Sequence, residues 1–123
     1  MDIQSYRDLR VWREAMELAE GCYRLTGGFP KDELFGMTAQ IRRAGVSIPA
    51  NIAEGYGRGS AGAYVHFLKV AQGSLKELET HLLLAERVGL AEGAAITSLL
   101  EACDSVGKML RSLIRAVERG QNA

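Results

Sequence analysis

Four stretches of apolar residues spaced alternately three and four apart, each cut off by glycine or proline, constrain this 123-residue chain more than any other feature. That spacing marks one face of an α-helix, and no useful length shows the alternation of a half-buried strand. The chain is therefore expected to be all-α. The first segment, about 8–26, places Leu9, Trp12, Met16, Ala19 and Tyr23 on one stripe. Val11, Ala15, Leu18, Cys22 and Leu25 form a second stripe about 100° further round, so the apolar arc is far wider than a two-position seam. Gly27, Gly28 and Pro30 are expected to end it, by a left-handed glycine and a residue that cannot continue a helix.

The second segment, about 32–54, carries Leu34, Met37, Ile41, Ala44, Ile48 and Ile52 on its apolar stripe, with Asp32 as the expected N-cap. Pro49 falls inside it, removing one backbone hydrogen bond and pressing its ring on the carbonyl of Gly45, at a cost of about 3 kcal/mol in a straight helix. A bare backbone at Gly45 predicts a kink between Gly45 and Pro49 and not a helix end. Gly55 to Gly62 reads as a connection, with Ser60 capping a third helix that runs to about Val88 and stops at Gly89. Its core stripe is Phe67, Val70, Ala71, Ser74, Leu75, Leu78, Leu82, Ala85 and Val88. The fourth, about 93–119, repeats the period from Ile96 through Cys103, Val106 and Leu110 to Val117. Connections of about 4 to 8 residues predict antiparallel neighbours, hence an up-down-up-down four-helix bundle roughly 30 to 40 Å long, one domain over 1–123.

Charge and cysteine usage narrow the function classes. Fifteen Lys and Arg balance fifteen Asp and Glu, so a charged binding face must be local. The N-terminal stretch is interrupted by charges every few residues, which predicts no signal peptide and a cytoplasmic location. The longest apolar run beyond it is about four residues, Leu82 to Ala85, so no membrane association is expected. Cys22 and Cys103 lie far apart among apolar residues, which predicts buried thiols.

Catalytic and cofactor motifs find little footing. Gly57-Arg58-Gly59-Ser60-Ala61-Gly62 spells a dinucleotide-binding fingerprint, but that mechanism needs a preceding buried strand; a turn and a helix cap are expected. Residues three before His66 and His81 are Ala63 and Leu78, so the Glu-x-x-His pairs of a di-iron bundle cannot be built. No metal, cofactor or catalytic residue is expected.

Two polar constellations stand out. Gln40, Arg43, Ser47, Asn51 and Glu54 line one side of the second segment, which is either a solvated face or a half-buried polar interface. In the second case Arg43 would pair with Glu77 or Glu79 on the third helix or on a neighbouring copy. Lys108, Arg111, Arg115 and Arg119 form a basic stripe on the fourth segment. It is either a solvated face complementing the helix C-terminus or a phosphate-tracking surface, joined by Arg7, Arg10 and Arg13. The surplus apolar area of the first segment predicts a homo-oligomer.

Several motifs carry a resemblance. Tyr6-Arg7-Asp8-Leu9, Val11-Trp12, Phe29-Pro30, Gln40-Ile41-Arg42-Arg43-Ala44, the run Val46-Ser47-Ile48-Pro49-Ala50-Asn51-Ile52-Ala53-Glu54-Gly55, and Gly73-Ser74-Leu75 with Glu77-Leu78-Glu79-Thr80 resemble the bacterial ribosomal-RNA intervening-sequence proteins. The likeness spans about residues 6–90 and departs at Gly45, where alanine is usual, and at Ala63. That family is related to the accessory protein of diversity-generating retroelements, a pentameric barrel that binds nucleic acid and a reverse transcriptase through a basic surface. The resemblance implies a four-helix bundle, a ring of five copies and a non-catalytic role, with Arg42, Arg43, Ser47, Asn51, Glu54, Glu77 and Glu79 in the shared motifs. The expected function is an oligomeric scaffold for RNA or an RNA-processing protein; the alternatives are a purely protein-binding oligomer and an enzyme with an unrecognised site.

Overall fold

The structure, a computed structural model, describes residues 2–120, which form four α-helices and no strand. They are α1 (Arg10–Thr26), α2 (Met37–Tyr56), α3 (Ala61–Arg87) and α4 (Gly93–Glu118). Short 3₁₀ turns at Tyr6–Asp8 and Lys31–Glu33 precede α1 and α2. Each helix packs on the next, α4 closes on α1, and the backbones of the diagonal pairs stay apart. Cross-helix neighbours give the directions. Ser47 meets Ser74 while Gly55 lies against Phe67, so α2 and α3 run opposite ways; Glu14 with Ser105 and Gly21 beside Leu99 do the same for α1 and α4. The result is the expected up-down-up-down four-helix bundle.

One continuous core fills the centre. Leu18, Ile41, Ile48, Ile52, Leu68, Leu75, Leu78, Leu82, Ile96, Val106 and Leu110 are essentially sealed from solvent. On α1 it is the Val11–Ala15–Leu18–Cys22 stripe that enters this core, while Met16 and Tyr23 of the other stripe stay 38% and 48% exposed. On α3 the core takes Leu68, which the sequence stripe omits, and leaves Val70 and Val88 exposed.

Several helix ends differ from expectation. Neither Gly27 nor Gly28 is left-handed: Gly27 keeps a helical φ of −61°, and α1 closes through Gly27 N–H to the Tyr23 carbonyl and Phe29 N–H to the Thr26 carbonyl, with Pro30 barring continuation. Asp32 is not the cap of α2. It sits in the 3₁₀ turn, and α2 starts at Met37, whose N–H is accepted by the Glu33 carboxylate at 3.1 Å. Leu34 and Phe35 consequently lie outside the helix, with Phe35 93% exposed. From Met37 the helix continues unbroken past Pro49 to Tyr56, so the proline does not end it.

Other ends follow the sequence. Ser60 accepts from Ala63 N–H and caps α3. After α3, Gly89 takes φ +81°, Leu90 N–H reaches the Ala85 carbonyl and Gly89 N–H the Glu86 carbonyl, the paired bonds of a Schellman motif.

Close approach is bought by bare backbone at Gly55, where an added Cβ would stand 2.8 Å from the Phe67 Cβ and 3.2 Å from the Tyr64 carbonyl oxygen. Gly55→Ala is expected to lose about 1–3 kcal/mol, since α2 and α3 must move apart. Gly73→Ala, in mid-helix with open space, is expected to gain up to about 1 kcal/mol. Urea denaturation of both variants checks the opposite signs.

Candidate functional site

The polar line of α2 is divided between two neighbouring helices. Arg42 Nε donates to Thr26 Oγ1 at 2.8 Å, and its guanidinium lies 4.5 Å from the centre of the Tyr23 ring. Thr26 is buried, and its hydroxyl donates to the Cys22 carbonyl at 2.7 Å, so Arg42 ties α2 to the C-terminal turn of α1. Ser47 and Ser74 share a 2.8 Å hydrogen bond across the α2–α3 seam. Asn51 Nδ2 donates to both the carbonyl and the hydroxyl of Ser47, at 2.8 and 3.0 Å. These three form a small, satisfied and half-buried cluster.

The charged members of the line do not converge. Glu54 pairs with Arg58, Glu77 lies 3.3 Å from His81, and Glu79 lies 3.3 Å from Lys76. Arg43 therefore pairs with neither Glu77 nor Glu79 within the chain: each carboxylate has a partner one turn away on α3 itself. Among the described residues the exposed side chains of Gln40 and Arg43 make no hydrogen bond or ion pair.

The basic stripe of α4 is exposed along its length, with Lys108 3.1 Å from Asp104 and with Arg111, Arg115 and Arg119 on the surface. Arg7, Arg10 and Arg13 are engaged elsewhere. Arg13 donates to the carbonyls of Arg7 and Asp8, Arg10 pairs with Glu14, and Arg7 lies over the Tyr6 ring. They brace the entry to α1. Two cations from a different helix join the stripe instead: Lys69 and Lys76 of α3 line an open groove with Arg111. Sequence reasoning missed them. Their signal was the row Lys69, Gln72, Lys76 at helical spacing, opposite the core stripe.

A second hollow is apolar. Met16, Ala19, Glu20, Tyr23, Arg24, Val46 and Pro49 line a space of about 430 Å³ between α1 and α2. Val46 is 42% exposed there. Gly57 to Gly62 is a turn and cap, with Gly59 at φ +81° and Ser60 bonded to Ala63. Among the described residues no group of three or more His, Cys, Asp or Glu is arranged to hold a metal.

Cys22 and Cys103 are buried and unpaired, and burial pushes both thiols up to about 12. For Cys103 the carboxylate of Glu79 adds to that rise. The Tyr64 hydroxyl is buried without a hydrogen-bond partner, and burial, with Tyr56 beside it, raises it to about 12. Thiolate chemistry at neutral pH is closed to both cysteines.

Comparison with known proteins adds the following. The family model described as 23S rRNA-intervening sequence protein matches residues 7–112. A solved crystal structure from Bacteroides thetaiotaomicron, a protein of unknown function from the S23 ribosomal protein family, superposes with a TM-score of 0.76 at 27% sequence identity, covering 85% of this chain and 97% of that one. No curated protein matches.

The buried acids fix a pH response. Unfolded, the thiols ionise near 9 and the tyrosine near 10; folded, all three need about pH 12. The unfolded chain releases these protons first, so their contribution to stability is whole below pH about 9 and is lost as pH rises toward about 12. Urea midpoints are expected to hold from about pH 7 to 8.5 and then fall. The fall should be shallower in a Cys22→Ala/Cys103→Ala variant, measured as the slope against pH and not as the midpoint itself.

Proposed function

We propose, because this chain belongs to the 23S rRNA-intervening sequence protein family, that it is a non-enzymatic helical scaffold which assembles with copies of itself in the cytoplasm and holds RNA or an RNA-processing protein. The observation that carries the assembly is the uncovered apolar hollow between α1 and α2. Met16, Tyr23 and Val46 stand open around it, as a stable monomer seldom leaves them. The occupant is a second copy. Leu83, Leu84 and Val88 at the end of α3 are exposed apolar side chains beside Glu86 and Arg87, whose charges are opposite in sign to Arg24 and Glu20 at the hollow. A contact between two different patches repeats head to tail and forms a ring where the rotation between copies closes; a ring of five accords with the resemblance to the retroelement accessory protein.

Support for a non-catalytic role comes from the two cysteines, held as neutral thiols in the core, and from a polar line whose members are spent on helix packing. The equal count of fifteen cations and fifteen anions favours a second reading, an oligomer that binds only protein.

Sedimentation velocity at micromolar concentration tests the assembly. The expected species is several times 13.4 kDa, and Met16→Glu/Val46→Glu should shift it to the 13.4 kDa chain with helicity unchanged. A wild-type protein found only at 13.4 kDa overturns the scaffold's assembly.

A further inference from the structure

The groove between α3 and α4 has a composition unlike the rest of the surface. Lys69, Gln72, Gly73 and Lys76 come from α3, and Gly107 and Arg111 from α4, around a space of about 390 Å³. Two glycines face it from opposite walls. A Cβ on Gly73 would meet nothing within 4 Å, and one on Gly107 would approach Leu75 Cδ2 at 3.2 Å and Arg111 Nη1 at 3.7 Å. Gly73 therefore leaves the α3 backbone open at one wall, while Gly107 is buried against Leu75 and lets α4 pack close to α3.

Charge in the groove runs against the balance of the whole chain. Lys69, Lys76 and Arg111 line it and Lys108 adjoins it; the paired carboxylates are Glu79, on Lys76, and Asp104, on Lys108. Among the described residues Lys69 and Arg111 make no hydrogen bond or ion pair, so two cations point into solvent from facing helices with no internal counter-charge. Lys69 and Lys76 are two helical turns apart, about 10 Å along the axis. Cations set at intervals along a narrow groove suit a chain of phosphates better than a single anion. No aromatic ring lines the groove, so it offers no platform for stacking bases.

We infer that the α3–α4 groove is a binding site for the phosphate backbone of RNA, with Lys69, Lys76 and Arg111 on phosphates and the Gln72 amide available to ribose hydroxyls. The inference rests on the RNA branch of the function proposed above. Recognition is then independent of sequence and weakens as salt rises, and the strand can come close at Gly73, which carries no side chain.

The test is fluorescence anisotropy of the full-length protein with a labelled single-stranded RNA of about 16 nucleotides and mixed sequence, between about 50 and 300 mM KCl. Binding is expected with a log–log salt slope near −2, from about −0.7 for each of three phosphate contacts. Lys69→Gln/Arg111→Gln should weaken it roughly 10-fold or more and make the slope shallower by about 1.4. Gly73→Glu places a carboxylate in open space on the groove wall, so it should abolish binding while far-ultraviolet circular dichroism and assembly match wild type. Arg115→Gln, outside the groove, should change affinity less than about 3-fold. If wild type binds and the groove variants bind equally well, the groove assignment is overturned and the RNA reading survives. No binding at 50 mM salt removes the RNA reading and the groove together, leaving the protein-binding oligomer.

Discussion

The fold depends on α2 lying close to two neighbours at once. Ile41, Ile48 and Ile52 have to reach a common core, yet α2 also presents backbone to α1 at Gly45 and to α3 at Gly55. A Cβ at Gly45 would stand 3.2 Å from Cys22 Sγ, and one at Gly55 would meet Phe67 at 2.8 Å. A side chain at Gly55 would have to be accommodated by moving a helix, whereas one at Gly45 would ask Cys22 to give by a few tenths of an ångström, and tightly packed interiors resist the first far more than the second. The hydrogen bonds that cross from α2 form at this separation. Arg42 finds Thr26 near the first glycine, and Ser47 finds Ser74 between the two.

Periodicity made much of this legible and orientation did not. The stripe from Ile41 to Ile52, the Ser60 cap and the left-handed Gly89 could be placed because each has a local cause, a spacing or a backbone requirement. The start of α2 was misplaced because Asp32 carries the right side chain for a cap, whereas the cap that forms belongs to Glu33 and acts across a turn. Gly27 and Gly28 were assigned a conformation that Pro30 makes unnecessary. Leu68 and Val70 were exchanged because the apolar arc of α3 is wide, and only the position of its neighbours decides which edge is inside.

The same limit governs the candidate site. A polar line on one helix says which groups share a face but not what lies opposite. Ser47 and Asn51 turned toward α3, Arg42 toward α1, and Arg43 toward solvent. The basic stripe on α4 was visible by itself. That Lys69 and Lys76 stand beside Arg111 follows only from the pairing of α3 with α4, as Gly107 against Leu75 shows. Pairing is a tertiary fact, and single-helix patterns do not contain it.

The arrangement of the helices bears on how a chain of zero formal charge would hold a polyanion. Neighbours in the bundle run α1, α2, α3, α4 and back to α1, so the α1–α2 edge is diametrically opposite the α3–α4 edge. The hollow of the proposed self-contact, around Met16, Tyr23 and Val46, lies on the edge away from the groove of Lys69, Lys76 and Arg111. Leu83, on the partner side of that contact, is seven residues beyond Lys76, about 10 Å along the same face of α3, so the partner would border the end of the groove. A single groove with three phosphate contacts binds weakly at physiological salt. Several grooves on one ring, in the proposed assembly, would engage one strand as an intramolecular event after the first contact, and affinity would then rise without any increase in the charge of the chain. In such an assembly a balanced net charge would not by itself bar a polyanion, because what a strand meets is the local disposition of Lys69, Lys76 and Arg111.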